Sequence, residues 1–198
     1  MYKRQLGTAF GLNYLFNRPQ EEKKNEEPEV VATPTPTPEP VTTSASLFMV
    51  GDALLHTTIE ADASNGDGTY TFSLLDRIGA IAQNYDLRYY NQETILGGDD
   101  LGIHGYPRFN GPQSWGDYML SLGFNLVSTA NNHCLDMNTY GLENSVNYWK
   151  SKEDILMNGT YTSQEDYDAI PVGEINGIRY AFLSFCHDMN GLQPEQPY

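Results

Sequence analysis

The chain has 198 residues, 39% of them hydrophobic and 12% aromatic, which suits one folded domain with a core plus a tail. A formal net charge of -15 at pH 7 argues against nucleic acid and anionic membrane surfaces as partners, because their phosphates would be repelled. The two cysteines, Cys134 and Cys186, are too few for a disulfide scaffold, so the core must supply most of the stability.

The first 46 residues differ in composition from the rest. Residues 1–20 include an apolar stretch, Leu6 to Phe16, which is too short to span a membrane but fits the remnant of a signal or membrane anchor. Residues 21–46 contain the Pro-Thr repeat Thr33 to Pro40, which favours extended polyproline II and cannot build a core. We predict a disordered linker here, either a stalk that tethers a domain to the cell envelope or an inert tail.

From residue 47 onward the pattern predicts alternating strands and helices. Short apolar runs bounded by turn residues indicate buried strands at 47–50, 87–90, 124–127 and 155–157. Helical spacing of apolar residues indicates three helices between and after them: one capped by Thr71 and running through Ile78, one from Pro112 to Gly123, and one through Val146. This alternation predicts an α/β fold with a mostly parallel sheet and helices on both faces.

Two further segments are predicted. Apolar runs at 170–175 and 178–185 flank Asn176-Gly177, a strong signal for a two-residue β-hairpin. The loop from Gly97 to Gly111 is too long for a plain connector and is expected to cover a site. Its Arg108 either orients an anion or is simply solvated.

Polar side chains follow three consecutive predicted strands. They are Asp52 with His56, Asn91 with Glu93, and Asn132 with His133. The carboxyl ends of parallel strands meet at one edge of a sheet, so we expect a shared crevice there. Carboxylate, imidazole and amide donors are typical ligands of Zn²⁺, Mn²⁺ or Fe. The alternative is that Asp52 and Asn132 cap turns and Glu93 is solvated.

Several blocks of residues carry a family resemblance. They are Gly51-Asp52 with Leu54-Leu55-His56, Asn91-Gln92-Glu93-Thr94, Tyr106-Pro107-Arg108-Phe109-Asn110, Ala130-Asn131-Asn132-His133 with Asp136, and Asn190-Gly191. In this order they resemble the poly-gamma-glutamate capsule-synthesis family, the CapA type, which is similar to the calcineurin-like metallophosphoesterases. The resemblance covers residues 47–198 as the amino-terminal part of such a domain and implies a four-layer α/β/β/α fold.

The resemblance implies roles for individual residues. The implied ligands of divalent Mn, Zn or Fe ions are Asp52, His56, Glu93 and Asn132. His133 is implied to face the scissile group as a catalytic residue, and the implied substrate contacts are Arg108, Asn91 and Asn110. Two cations can clamp the reacting oxygens and activate water while an imidazole protonates the leaving group.

Two functions follow from this resemblance. One is a metal-dependent hydrolase or transferase that acts on an anionic polymer such as poly-gamma-glutamate at the extracellular face of the envelope, together with membrane capsule-synthesis proteins. The other is a non-catalytic envelope protein that holds the polymer or a partner of the synthesis machinery.

The sequence also departs from the family pattern. The His-Trp-Gly and Gly-His-x-His blocks, which carry further imidazole ligands in the family, have no match here, so we expect a truncated site with little turnover. Cys134 and Cys186 follow strands near the predicted crevice. They either form a disulfide or pack as small hydrophobic residues.

Overall fold

A computed structural model describes residues 40–196, in which residues 40–46 form neither helix nor strand. The predicted anchor at 1–20 and most of the predicted linker at 21–46 lie outside the described residues. Across residues 40–196, no helix has both the length and the apolar character that crossing a membrane requires.

The centre of the domain is a four-stranded parallel sheet. Its strands, in spatial as well as chain order, are β1 (Leu47–Asp52), β2 (Leu87–Asn91), β3 (Leu126–Ser128) and β4 (Leu156–Asn158). Every adjacent pair is parallel, and helices connect the strands. The predicted α/β fold with a mostly parallel sheet is therefore confirmed.

The described helices are α1 (Thr57–Ala63), α2 (Asp76–Ala82), α3 (Gln113–Ser121), α4 (Asn138–Lys150) and α5 (Gln164–Asp168), with a short 3-10 turn at Asp99–Leu101. Both α1 and α5 were missed by the sequence prediction because they are short and polar. The predicted cap at Thr71 is wrong. Helix α2 begins after Leu75, and the Thr71 hydroxyl instead donates to Asn65 Oδ1 at 3.2 Å within the preceding turn.

The main core lies on one face of the sheet. Strand residues Phe48, Val50, Tyr90 and Val127 cluster there with apolar residues of α1 to α4, including the buried Trp149. Burial on this face is uneven. Val127 is 0% exposed. Val50 lies on the edge strand β1 and is only half-buried, so the predicted burial of Val50 holds only in part.

The opposite face of the sheet meets the end of the chain rather than the helices of the main core. On this face Met49 is 59% exposed, while Tyr89 packs edge-on against Phe182 with ring centroids 6.0 Å apart. Tyr89 is therefore half-buried, less than predicted. Farther along the sheet, the Ser184 N–H donates to Asn158 Oδ1 at 2.8 Å.

The predicted hairpin is confirmed. Strands β5 (Val172–Ile175) and β6 (Ile178–Ala181) are antiparallel, and both turn residues have positive φ, 51° at Asn176 and 78° at Gly177. That backbone suits Asn-Gly because neither residue is strongly strained there. The Asn176 side chain donates to the carbonyl of Ser44 at 2.9 Å, so the turn contacts the segment that leads into β1.

Candidate functional site

The carboxyl ends of β1, β2 and β3 meet at one edge of the sheet because the strands are parallel. Asp52 is in register with Asn91, and Asn91 with Ser128. The loops that follow these strands carry Glu93 and His133, whose side chains approach each other. The structure therefore brings polar groups from all three strand ends to the edge where open α/β sheets bind ligands.

His133 is fixed by a buried carboxylate. Its Nδ1 donates to Asp136 Oδ2 over 2.7 Å, and the same oxygen accepts the Phe109 N–H over 2.7 Å. Because a carboxylate can only accept, the ring proton lies on Nδ1 and Nε2 is left to exchange protons with a ligand. Asp136 is 2% exposed and His133 is 8% exposed. The imidazole is thus held in place for acid–base chemistry at Nε2.

Asn131 connects the end of β3 to the end of β2. Its Oδ1 accepts the His133 N–H at 2.9 Å, and its Nδ2 donates to Gln92 O at 2.9 Å and to Asn91 Oδ1 at 3.3 Å. The Asn91 Nδ2 donates in turn to Asp52 Oδ1 at 2.8 Å. A chain of side-chain amides therefore runs from the His133 turn to Asp52 across three strands.

Glu93 lies between the two sides of the site. Its Oε1 is 3.9 Å from His133 Nε2, a distance for charge interaction rather than hydrogen bonding, and its side chain is 15% exposed. Burial raises the pKa of the Glu93 carboxyl and the charge of Asp52 raises it further, whereas His133 and His56 lower it. Glu93 therefore interacts electrostatically with Asp52 and His56 after β1 and with His133 after β3.

Phe109 contacts both imidazoles of the site. The ring is edge-on to His133 with centroids 4.8 Å apart, and edge-on to His56 with centroids 5.2 Å apart. Phe109 is 1% exposed, whereas His56 is exposed. The ring therefore forms an apolar wall for both histidines and anchors the loop in which it lies.

An open cleft of about 510 Å³ lies in front of His133. It is lined by Arg108 of the long loop and by Asn132 and Asn190, whose side chains are joined by a hydrogen bond of 3.2 Å from Asn132 Nδ2 to Asn190 Oδ1. Arg108 is exposed and forms no salt bridge within the described part of the chain. Its guanidinium is therefore available to an anion in the cleft.

Asn110, a predicted substrate contact, does not line this cleft. It is 0% exposed, its Oδ1 accepts the Gly97 N–H at 2.9 Å, and its Nδ2 donates to Gly98 O and Gly102 O at 2.9 and 2.6 Å. The loop uses both donors of this amide as well as its oxygen. Asn110 therefore stabilises the loop in this structure, and its role as a substrate contact stays a prediction.

The residues predicted to bind metal carry suitable donor atoms but are not arranged as a complete site. Across residues 40–196, no three His, Cys, Asp or Glu side chains lie close enough together to hold an ion. Asp52 is exposed and bonded to Asn91, and the amide nitrogen of Asn132 is bonded to Asn190. Structural and catalytic metal sites use three or more protein ligands, so the described residues do not fit a complete metal centre.

Three residues of this site were given no role by the sequence reasoning. The contact of Asp136 with His133 could have been predicted from the sequence, because the two residues are three apart and can meet within one turn. Asn131 is one of two adjacent asparagines, and only its low exposure of 9% distinguishes it from Asn132. Asn190 comes from 57 residues beyond His133, a contact for which the sequence holds no local signal.

The two cysteines lie beside the site as free thiols, so the predicted disulfide is not formed. Both line a second cleft of about 290 Å³ next to the His133 turn. Burial raises the pKa of the Cys134 thiol to about 11, and the nearby Cys186 contributes to the shift. The alternative prediction, packing as a small hydrophobic residue, describes Cys134 at 9% exposure.

Fold and site together define an α/β protein with a buried His–Asp pair at the carboxyl edge of a parallel sheet. The model of the family described as "Bacterial capsule synthesis protein PGA_cap" matches residues 46–197. The chain therefore belongs to this family of capsule synthesis proteins, as its motif blocks predicted. The family is metallophosphoesterase-like, which suggests metal dependence without specifying the ion. No curated protein matches the chain.

Proposed function

We propose that the chain acts in capsule synthesis by hydrolysing or transferring an anionic envelope polymer such as poly-gamma-glutamate. The observation that carries this proposal is the pair of His133 and Asp136, joined over 2.7 Å at the wall of an open cleft. Membership of the capsule synthesis family supports the biological context.

In this proposal His133 is the group that moves a proton. Asp136 holds Nδ1 in the protonated form, so Nε2 takes up a proton from the attacking group or returns one to the leaving group. Glu93, 3.9 Å from Nε2, stabilises the protonated imidazole between these two steps. Its raised pKa brings this carboxyl closer to the pH range in which it can itself exchange protons.

The cleft must overcome the charge of the protein to receive an anionic polymer. A net charge of -15 repels polyanions at long range. Arg108 supplies a positive group at the cleft, and its guanidinium can bind a carboxylate through two parallel hydrogen bonds. In the proposal Arg108 orients the polymer while the asparagine amides of the cleft contact its peptide groups.

We also propose where the protein acts. The apolar stretch within residues 1–20 and the Pro-Thr repeat within 21–46 support tethering at the extracellular face of the envelope. Membrane proteins of capsule synthesis are the partners expected there. The family also suggests that the activity depends on a divalent metal ion.

A second candidate is a polymer-holding protein without turnover. It is favoured by one observation: the described residues do not bring three metal ligands together. The cleft, with Arg108 and two asparagine amides, would then serve for binding alone.

The two candidates are distinguished by assaying the full chain with poly-gamma-glutamate and with a generic phosphodiester, each with Mn²⁺ or Zn²⁺ added. For the first candidate we expect a low rate that falls at least ~10²-fold in His133→Gln, because the proton carrier is lost. His187→Gln is the matched control, since His187 is exposed and does not line the cleft, and it should keep the full rate.

Equal rates in His133→Gln and the unaltered chain would contradict the first candidate. Polymer binding that is lost in Arg108→Ala, without turnover under any added ion, would instead establish the second. Polymer binding that is unaffected by Arg108→Ala would show that this cleft is not the binding site, which contradicts both candidate functions.

A further inference from the structure

We propose that Cys134 and Cys186 are a redox pair that closes to a disulfide under oxidising conditions and ties the segment 184–190 to the turn carrying His133. This inference is independent of the proposed function, because it concerns two thiols that take no part in the acid–base chemistry.

The first support is position. Both cysteines line the same cleft of about 290 Å³, and Cys134 directly follows His133 in the chain. No other cysteine occurs among the 198 residues, so neither thiol has a competing partner within the chain. Both are free thiols in this structure.

The second support is that the segment containing Cys186 is already attached on either side of it. Before Cys186, Ser184 donates its N–H to Asn158 Oδ1 at 2.8 Å and its hydroxyl bonds that of Ser128. After it, Asn190 accepts a hydrogen bond of 3.2 Å from Asn132. These two attachments fix the chain on either side of Cys186, which lines the same cleft as Cys134.

The chemistry is an ordinary thiol–disulfide exchange with a small disulfide RSSR, such as oxidised glutathione, as the oxidant. Cys186 is the more accessible sulfur. It attacks one sulfur of RSSR, the S–S bond of RSSR breaks, and the first RS⁻ leaves and becomes RSH. The sulfur of Cys134 then attacks Cys186 and displaces the second RS⁻. The protein loses two electrons and two protons, and RSSR becomes two RSH.

The consequence is a covalent link across a loop of roughly 50 residues, which restricts the unfolded chain. It also keeps Asn190 beside His133, where its amide now lies 3.4 Å from Nδ1. Oxidation would therefore order the part of the cleft wall that comes from the end of the chain.

The test treats the full chain with excess oxidised glutathione and follows intact mass under non-reducing conditions. We expect a monomer that loses two hydrogen atoms and carries no glutathione, with a linked peptide containing Cys134 and Cys186 after digestion. In Cys134→Ser the reaction should stop with one glutathione on Cys186. In Cys186→Ser it should be much slower, because Cys134 is only 9% exposed.

Two physical readouts follow the link itself. The Tm of the oxidised chain should rise by about 5–10 °C over the reduced chain, and neither single variant should show this rise. Amide hydrogen exchange across 184–190 should slow on oxidation. The proposal is overturned by two separately bound glutathiones, by a disulfide-linked dimer, or by thiols that stay free while Cys134→Ser takes up glutathione.

Discussion

The ends of β3 and β1 face the same site but are built differently. At the end of β3, His133 and Asp136 are buried, and each makes a hydrogen bond of 2.7 Å. At the end of β1, Asp52 and His56 are exposed, and Asp52 receives one side-chain hydrogen bond, from Asn91. The side of the site that holds His133 is therefore rigid, and the side predicted to bind metal is loosely held.

This difference has a physical origin. β3 is a central strand whose neighbours and loop shield its end from water, so each polar group there must find a partner. β1 is an edge strand of the described sheet, so water can solvate its end and Asp52 needs no fixed partner. Substitutions at the two ends should therefore differ sharply in cost.

The largest expected effect is at Asp136. Asp136→Ala leaves the Phe109 N–H and His133 Nδ1–H without their acceptor, and we expect it to lower the free energy of unfolding by about 3 kcal/mol. Asp52→Ala, the matched control at β1, should change it by less than about 0.5 kcal/mol. Urea unfolding at pH 7 measures both. Similar losses in the two variants would show that the ends are equally rigid.

A smaller effect should separate two neighbouring asparagines. Asn131→Ala should cost about 2 kcal/mol, because the amide joins the His133 N–H to the end of β2 within a buried site. Asn132→Ala should cost about 0.5 kcal/mol, because Asn132 is half-buried and its side chain bonds only the exposed Asn190. Thermal unfolding of the pair checks this, and the reverse order of Tm values would refute the amide chain.

Glu93 provides a pH test that involves both ends. Its pKa is raised above 4.5 in the folded state, mainly by burial and then by Asp52. As pH rises from 4.5 through the folded pKa, the folded state holds the proton that the unfolded state has lost, so stability falls over that window. Glu93→Gln should remove this fall and be more stable than the unaltered chain above that window.

The variant Asp52→Asn separates the two causes of the raised Glu93 pKa, which are burial and the charge of Asp52. It should reduce the fall without abolishing it, because burial is the larger cause of the Glu93 pKa shift. Unfolding curves recorded from pH 4 to pH 8 give the comparison. A fall that disappears completely in Asp52→Asn would mean that charge, not burial, dominates at Glu93.

The smallest expected effect is that of added metal. Mn²⁺ or Zn²⁺ at millimolar concentration should raise the Tm by less than about 2 °C, because no three His, Cys, Asp or Glu side chains within residues 40–196 form a ligand group. Calorimetric titration is the second measurement. A saturable rise that is lost in both Asp52→Asn and Glu93→Gln would show that the end of β1 rearranges into a metal site.

Much of the sheet was readable from the sequence because its signals are local. Val127 lies in a short apolar run, and Asn176-Gly177 has the backbone preferences of one specific turn. Helices α1 and α5 were not predicted, because their short polar sequences show no apolar period. The start of α5 does carry a local signal, since the Ser163 hydroxyl accepts the Asp166 N–H as a cap.

The residues of the site also divide into those that the sequence could place and those that it could not. His133, Glu93 and Asp52 could be placed together because each follows a strand of one parallel sheet. The burial of the Asn110 amide under its own loop could not be predicted, because no local sequence signal reveals it. The contact from Phe109 N to Asp136 joins residues that are 27 apart, and only the folded loop brings them together.

The contact between the hairpin turn and Ser44 has a mechanical consequence. Asn176 binds the Ser44 carbonyl, and the nearby Ser46 is bonded through both its N–H and its hydroxyl to Asp86 at 2.7 Å. Tension transmitted along the chain from before Ser44 would meet these bonds first. It would then load β1 at the end farthest from Asp52, about 17 Å away for a strand of this length. The cleft would keep its geometry while the chain that leads to it is pulled.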